Sequence, residues 1–197
     1  MTTLVIREDG TRHAGCDESP GWIWFSARQL ETALGGEHNN NKTILELGSG
    51  TGWLSLQLAM RGATMTATDR PGALPLLLRN VLSNQERLQN LKVDVQELEW
   101  DSDERIVGQW DLIIGSDLIY VCESHIPLLQ TLLRHDCQTF VLTYEERKPT
   151  EEANFVLLAK ERGFQIESLD HRGTNPGTGN AIWLLRMTYN QKEPSIA

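Results

Sequence analysis

Short apolar runs alternate along the chain with longer segments in which apolar residues recur at helical spacing. The apolar runs predict strands at Thr43–Leu47, Thr64–Thr68, Leu91–Val95, Asp111–Gly115 and Thr139–Tyr144. The longer segments predict helices at Ser26–Leu34, Gly52–Met60, Leu74–Asn84, His125–His135 and Thr150–Phe164. Alternation of this kind is typical of an open α/β sheet with helices on both faces.

The alternation stops near the end of the chain. Two further apolar runs, Gln165–Asp170 and Ile182–Met187, have only a loop between them. A loop leaves no room for a crossover helix, so the two strands are expected to pair as an antiparallel hairpin. The prediction is therefore a mostly parallel sheet that closes with a C-terminal hairpin. Ser26 and Thr150 are the predicted N-cap residues of the first and last helices.

Size and charge narrow the class of protein. The chain has 197 residues, which favours a single domain over residues 1–197, with residues 1–42 as a segment leading into its core. Its 18 basic and 27 acidic residues give a net charge of −9, so nucleic acid is an unfavoured partner. No apolar run is long enough to span a membrane, and no signal-peptide pattern opens the chain. The sequence therefore predicts a soluble intracellular protein.

The cysteines and histidines do not predict a metal site. Neither residue type occurs at the spacing of a zinc motif, and the odd number of cysteines gives no disulfide framework. These residues are Cys16, Cys122, Cys137, His13, His38, His125, His135, His171.

A glycine-rich turn lies between the first predicted strand and its helix, in the stretch ILELGSGTGW. Gly48, Gly50 and Gly52 would let the backbone approach a ligand closely at the N-terminus of that helix. A dinucleotide-binding loop would need glycine at the next position, which is occupied by Trp53. The loop is headed instead by Glu46, whose carboxylate suits an ammonium group better than two phosphates.

A second carboxylate ends the next predicted strand. Asp69 lies about 20 positions after Gly48, where related folds place an acidic residue that accepts hydrogen bonds from ribose hydroxyls. A ligand with a ribose, a cationic amino-acid end and no phosphate is S-adenosylmethionine. The spacing of Glu46, the glycines and Asp69 therefore predicts a site for this cofactor.

With these motifs, the sequence resembles class I methyltransferases, and more narrowly methyltransferase family 16, the seven-β-strand non-histone protein-lysine methyltransferases. The resemblance rests on the stretches WIWFSARQL, ELGSGTG, ELEW and SDLIY, and it extends from about Trp22 to Arg186. It implies a Rossmann-like, doubly wound, mostly parallel seven-stranded sheet with a C-terminal antiparallel hairpin. It also implies S-adenosylmethionine as cofactor.

The resemblance assigns roles to single residues. Trp24 is expected beside the methionine part of the cofactor, Trp100 beside the adenine, and Ser116 also in the cofactor site. Asp117 and Tyr120 form the D-x-x-Y motif that distinguishes the family and are the expected catalytic pair. The expected substrate is a lysine in a chaperone, an ATPase or a translation factor, and the expected compartment is the cytoplasm, with the nucleus second.

Several alternatives stay open from the sequence. Asp117 and Tyr120 also fit a strand-end turn and a packing residue. Methylation of a small-molecule amine and a catalytically inactive cofactor-binding protein are the competing functions. The stretch EERKPTEE, Glu145 to Glu152, is expected to be a solvated loop and the start of a helix, and lining of the substrate mouth by Glu145 and Glu146 is the equal alternative. The sequence gives no indication of the oligomeric state.

Overall fold

A computed structural model describes residues 3–9, 21–35, 41–88 and 90–190. Its helices are α1 Phe25–Gly35, α2 Trp53–Met60, α3 Leu74–Arg87, α4 His125–Arg134 and α5 Pro149–Glu161. Its strands are β1 Thr43–Leu47, β2 Thr64–Asp69, β3 Val93–Glu97, β4 Leu112–Ser116, β5 Thr139–Glu145, β6 Gln165–Thr174 and β7 Ala181–Thr188. Cys16, His13, His38 and part of the predicted N-terminal segment lie outside the described residues.

The strands form one seven-stranded sheet in the order β3-β2-β1-β4-β5-β7-β6. Neighbours from β3 to β5 pair in parallel, whereas β7 is antiparallel to both β5 and β6. The predicted fold class is therefore confirmed, including the C-terminal hairpin. The hairpin is arranged so that β7, the later strand, lies inside the sheet and β6 forms its edge. Because strand order reverses at β1, the carboxyl ends of β1 and its neighbours open into a crevice.

Alternating residues of each central strand face opposite sides of the sheet. Ile44 belongs to a core that also contains buried residues of α1, α2 and α3. Leu45 and Leu47 belong to the second core, which contains buried residues of α4 and α5. Glu46 follows Ile44 by two positions, so the strand directs its carboxylate toward the α1–α2–α3 side. Within the described residues, no helix is long and apolar enough to cross a membrane.

Both predicted helix caps are wrong. Helix α1 begins at Phe25, so Ser26 lies inside it, and the Ser26 hydroxyl bonds a buried carboxylate instead. Helix α5 begins at Pro149, whose ring fits the first helical position, so Thr150 is helical rather than a cap. Strand β3 also begins two residues later than predicted, because its pairing with β2 starts at Val93 opposite Met65.

Candidate active site

A cleft of about 880 Å³ opens at the carboxyl ends of β1, β2 and β4, and we call it the central cleft. Its lining contains both charged and aromatic side chains. Residues at or after the ends of β1 to β5 and residues of the segment before α1 line it. They include Trp24, Glu46, Gly48, Gly50, Asp69, Trp100, Ser116, Asp117, Tyr120 and Arg147. The structure thus gathers residues that are far apart in sequence around one cavity.

The glycine loop brings bare backbone to the wall of this cleft. Gly48 and Gly50 both have positive φ, 61° and 53°, which favours glycine. A Cβ on Gly48 would also lie 2.6 Å from Cδ2 of Leu118 and 3.6 Å from the ring of Trp100. The absence of a side chain at Gly48 therefore allows the loop backbone to pack closely against Leu118 and Trp100.

Gly52, the third glycine of the loop, lies away from the wall of the cleft. The central cleft does not include it among its lining residues. It is the residue before α2, with φ 76°, and a Cβ there would lie 2.6 Å from Cδ1 of Leu77. Its lack of a side chain thus serves the turn and the packing of α2 against α3. A direct role for Gly52 in holding a cofactor stays a prediction.

Glu46 is a buried carboxyl at the floor of the cleft. Its side chain is 1% exposed, and its Oε2 accepts a hydrogen bond from the Ser55 hydroxyl of α2. Burial raises the pKa of Glu46 to about 7, against the opposing effect of the hydroxyls of Ser55 and Ser49. The charge of Asp69 raises it further. A cation placed beside Glu46 would favour its ionised form.

Asp69 supports the glycine loop and keeps part of its carboxylate available. Its Oδ2 accepts a hydrogen bond of 2.7 Å from the Gly50 N–H, and its Oδ1 accepts one of 2.9 Å from the Arg70 N–H. An ionised carboxylate has about four acceptor positions. These two contacts therefore leave positions on both oxygens for hydroxyl groups of a ligand in the cleft. Desolvation raises the pKa of Asp69, while the two N–H donors lower it.

Asp117 lies just beyond the end of β4 in the left-handed conformation, with φ 56°. It is 5% exposed, and both carboxylate oxygens accept hydrogen bonds from the protein. Oδ2 accepts from the Ser26 hydroxyl at 2.6 Å, and Oδ1 accepts from the Glu145 N–H at 2.9 Å. The guanidinium of Arg147 bonds both oxygens, at 3.2 and 3.3 Å. We call Asp117, Ser26, Glu145, Arg147 and Trp24 the Asp117 network.

The positions of Glu145 and Arg147 differ from the solvated loop expected for the stretch EERKPTEE. Glu145 is 1% exposed, and its carboxylate accepts hydrogen bonds from three side chains of the β6–β7 turn, Asn175, Thr178 and Asn180. The Arg147 guanidinium lies 5.1 Å from the centre of the Trp24 ring and 3.1 Å from Oε2 of Glu145. The stretch is therefore not simply a solvated loop, because Glu145 is buried and Arg147 lines the cleft.

The other end of this stretch is also buried. Glu152 is 1% exposed, and its Oε1 accepts hydrogen bonds from the N–H groups of Arg147 and Lys148, at 2.9 and 3.0 Å. This carboxylate closes the first turn of α5 and fixes the backbone that carries Arg147. The pattern along the chain did not indicate that Arg147 lines the cleft or that Glu152 is buried, since a run of charged residues is typical of a solvated surface. The sequence feature that could have indicated the burial of Glu145 is the Asn- and Thr-rich β6–β7 turn, whose side chains donate hydrogen bonds to its carboxylate.

The remaining predicted site residues also reach the cleft. Trp24 and Trp100 lie on its walls, and Ser116 and Tyr120 flank Asp117. Catalytic and cofactor-binding roles for all these residues stay predictions. Within the described ranges, no group of three or more His, Cys, Asp or Glu side chains is placed to hold a metal ion.

A family model described as lysine methyltransferase matches residues 2–162. Among curated proteins, the chain is similar to protein N-lysine methyltransferase METTL21A. Identity is 35% over 127 residues in Xenopus tropicalis, covering 64% of this chain and 59% of that relative. It is 32% over 175 residues in Mus musculus, covering 86% and 78%. EEF1A lysine methyltransferase 3 of Mus musculus is 37% identical over 97 residues, covering 49% and 40%.

The chain therefore spans less than two thirds of the length of METTL21A from Xenopus tropicalis. Among solved structures, it is similar in fold to magnesium protoporphyrin IX methyltransferase from Synechocystis, which was solved with S-adenosylmethionine bound. That likeness has a TM-score of 0.62 at 17% identity and covers 86% of each chain. It supports the Rossmann-like fold class.

Proposed function

The chain belongs to the lysine methyltransferase family, and from this premise we propose that it transfers a methyl group from S-adenosylmethionine to a lysine side chain of a protein. One observation carries the proposal. Carboxylates at the ends of three adjacent parallel strands, Glu46 of β1, Asp69 of β2 and Asp117 after β4, line one cleft. Two suit the cofactor, and the third suits a cationic acceptor.

The residues present fit the cofactor. Asp69 has acceptor positions left for ribose hydroxyls, and the buried carboxyl of Glu46 would face the ammonium of the methionine part. Gly48 has no room for a side chain at the point where the loop meets the cleft wall. The family resemblance assigns Trp24 to the methionine part and Trp100 to the adenine, and both rings line the same cleft.

When bound, S-adenosylmethionine supplies a methyl group that its sulfonium has already activated. The task of the chain is then to bring a lysine nitrogen to this group without its extra proton. A lysine amine has an ordinary pKa of about 10.4, and removal from water lowers it. Asp117 would hold the ammonium and pass its proton to water, while Tyr120 would orient the nitrogen. Positioning of this kind supplies several kcal/mol of barrier reduction.

The pKa of Glu46 predicts a pH-dependent affinity for the cofactor. Because burial raises this pKa to about 7, binding of an ammonium beside Glu46 releases a proton at lower pH. Affinity is expected to rise by up to about tenfold per pH unit below pH 7 and to level off above it. A calorimetric titration with S-adenosylmethionine at several pH values measures this.

Glu46→Gln provides the control for that titration. The variant keeps the shape of the side chain but has no proton to release, so its affinity is expected to be lower and to lack this rise. The difference between the two proteins removes the titration of the cofactor's own amino group. The same pKa makes the free energy of unfolding of the cofactor-free wild type fall as pH rises from 4.5 through 7. If the affinity for S-adenosylmethionine had the same pH dependence in Glu46→Gln as in the wild type, this role of Glu46 would be excluded.

The substrate class is tested by incubating the protein with methyl-labelled S-adenosylmethionine and a cytosolic extract. We expect label in protein, released by acid hydrolysis as methyl-lysine. The extract is cytosolic because a cytoplasmic location remains part of the proposal. Label only in small molecules would favour a small-amine methyltransferase, and label in nucleic acid would also contradict the proposal. No binding of S-adenosylmethionine at millimolar concentration would favour a non-enzymatic protein.

The target is proposed to be a chaperone, an ATPase or a translation factor. One relative is named for methylation of EEF1A, which supports the last of these classes. Mass spectrometry of the labelled band identifies the protein and the modified lysine, and a target outside the three classes would contradict this part of the proposal.

A further inference from the structure

The protein itself fills the acceptor positions of the Asp117 carboxylate. Ser26 and the Arg147 Nη2 bond Oδ2, while the Glu145 N–H and the Arg147 Nη1 bond Oδ1. A carboxylate offers about four acceptor positions, and these four donors use them. A substrate ammonium can therefore bond Asp117 only where one of the four donors leaves.

Three observations identify Arg147 as the donor that leaves. The Ser26 hydroxyl belongs to α1, and the Ser26 carbonyl accepts a further hydrogen bond from the Thr143 hydroxyl at 3.0 Å. The Glu145 N–H is backbone in β5, where Glu145 pairs with Ile182 of β7. Arg147 holds Asp117 by the two longest bonds of the set, through a side chain that is 28% exposed and lines the central cleft.

The fold also provides a second partner for the departing guanidinium. Glu145 Oε2 already lies 3.1 Å from Arg147 Nη2. Three side chains of the β6–β7 turn hold the Glu145 carboxylate in place, and these are Asn175, Thr178 and Asn180. Arg147 can therefore withdraw from Asp117 and keep one carboxylate partner. The face of Trp24, which Arg147 now covers at 5.1 Å, becomes available to another cation.

We propose that Arg147 occupies the amine subsite of the central cleft and is exchanged there for the alkylammonium group of the substrate. This inference rests on the proposed function for the identity of the substrate, although the exchange itself concerns any alkylammonium. Arg147 is then a specificity-determining residue. A cation replaces a cation, so the buried Asp117 carboxylate is paired before and after. A neutral amide or hydroxyl would leave that carboxylate uncompensated and is disfavoured.

The test measures binding of butylammonium, which has the charged end of a lysine side chain, to the protein saturated with S-adenosylhomocysteine. In the wild type, Arg147 competes for the subsite. Arg147→Met removes the competing charge and keeps an apolar stem against Trp24. The half-saturation concentration of butylammonium is expected to fall by about tenfold or more in this variant. The further change Asp117→Asn in the Met variant is expected to abolish the gain.

Two controls accompany this titration. Lys148→Ala removes the adjacent positive charge, which also lines the cleft but pairs with Glu151 at its surface, and it is expected to leave butylammonium binding nearly unchanged. Butanol, the neutral probe of the same length, is expected to show no gain in Arg147→Met. A Met variant that binds butylammonium no better than the wild type would overturn the exchange. So would an equal gain in Lys148→Ala.

A measurement on the wild type covers the case in which Arg147→Met does not fold. Saturating butylammonium is expected to shift the NMR signal of the Arg147 side-chain Nε–H. The signal of Arg61, which pairs with Glu31, should not move. An unmoved Arg147 signal at saturation contradicts the exchange. Because these measurements involve no methyl transfer, their outcome is independent of whether a protein lysine proves to be the acceptor.

Discussion

Methyl transfer by an Asp117→Ala variant is expected to fall by about 10²- to 10⁴-fold, the range typical of a group that handles a proton in the transition state. The variant removes the carboxylate that would hold the lysine ammonium, and it leaves the Glu46 and Asp69 carboxylates unchanged. Affinity for S-adenosylmethionine should therefore stay nearly constant. Transfer is measured with methyl-labelled S-adenosylmethionine and the target protein, and affinity is measured by calorimetric titration.

Two further variants separate this role from general damage. Asp117→Asn keeps the size of the side chain and an acceptor for Ser26, and it should also lose transfer, because an amide carries no charge. Asp111→Asn is the matched control. Asp111 is an exposed aspartate just before β4, at the opposite end of the strand, where it accepts a hydrogen bond of 2.7 Å from the Thr43 N–H. Unchanged turnover in Asp117→Ala would remove Asp117 from the mechanism.

Loss of cofactor binding is the expected result of Asp69→Ala. Hydrogen bonds to a charged group contribute about 1.5–3 kcal/mol each, and two ribose hydroxyls would lose their acceptor. The affinity for S-adenosylmethionine should therefore fall by about 10²-fold or more. The variant also removes the acceptor for the Gly50 N–H, which loosens the glycine loop. Calorimetric titration measures the affinity, and thermal unfolding reports any loss of stability.

Glu97→Gln is the matched control for Asp69→Ala. Glu97 ends the adjacent parallel strand β3 and lies opposite Asp69 in the pairing register, but its side chain is exposed. Its neutralisation should leave cofactor affinity within about twofold, since surface charges of this kind contribute little. Equal losses in Glu97→Gln and Asp69→Ala would indicate a general charge effect. No loss in Asp69→Ala would exclude the ribose contact.

The sequence predicted the parts of the site that lie close together along the chain. Glu46, the glycines and the strand–helix change form one continuous stretch, so their spacing carries the geometry. Asp69 and Asp117 were also predictable, because each lies at or just after the end of a predicted strand and the carboxyl ends of neighbouring parallel strands meet. The fold class followed from the alternation of predicted strands and helices. The short loop between the last two predicted strands indicated the antiparallel hairpin at the end of the sheet.

The parts that escaped prediction depend on contacts between distant segments. Ser26 has the residue type of a helix cap, and only the approach of α1 to β4 makes it a donor to Asp117. Glu145 and Arg147 occupy a charged stretch that resembles solvated surface, but the β6–β7 turn folds over Glu145 and buries it. Gly52 fits the motif, although in the fold glycine is required there by a positive φ and by the close approach of Leu77 of α3. Pattern along the chain contains no information on such pairings.

The insertion of β7 between β5 and β6 has a consequence for the order of folding. A growing chain that has reached residue 145 contains every strand of the cofactor half, but the edge of β5 has no partner until β7 has been made. An unpaired edge of this kind invites pairing with other chains. The turn that fixes Glu145 also arrives with this last hairpin. During synthesis, the half proposed to bind the nucleoside can therefore assemble before the turn that completes the proposed amine subsite.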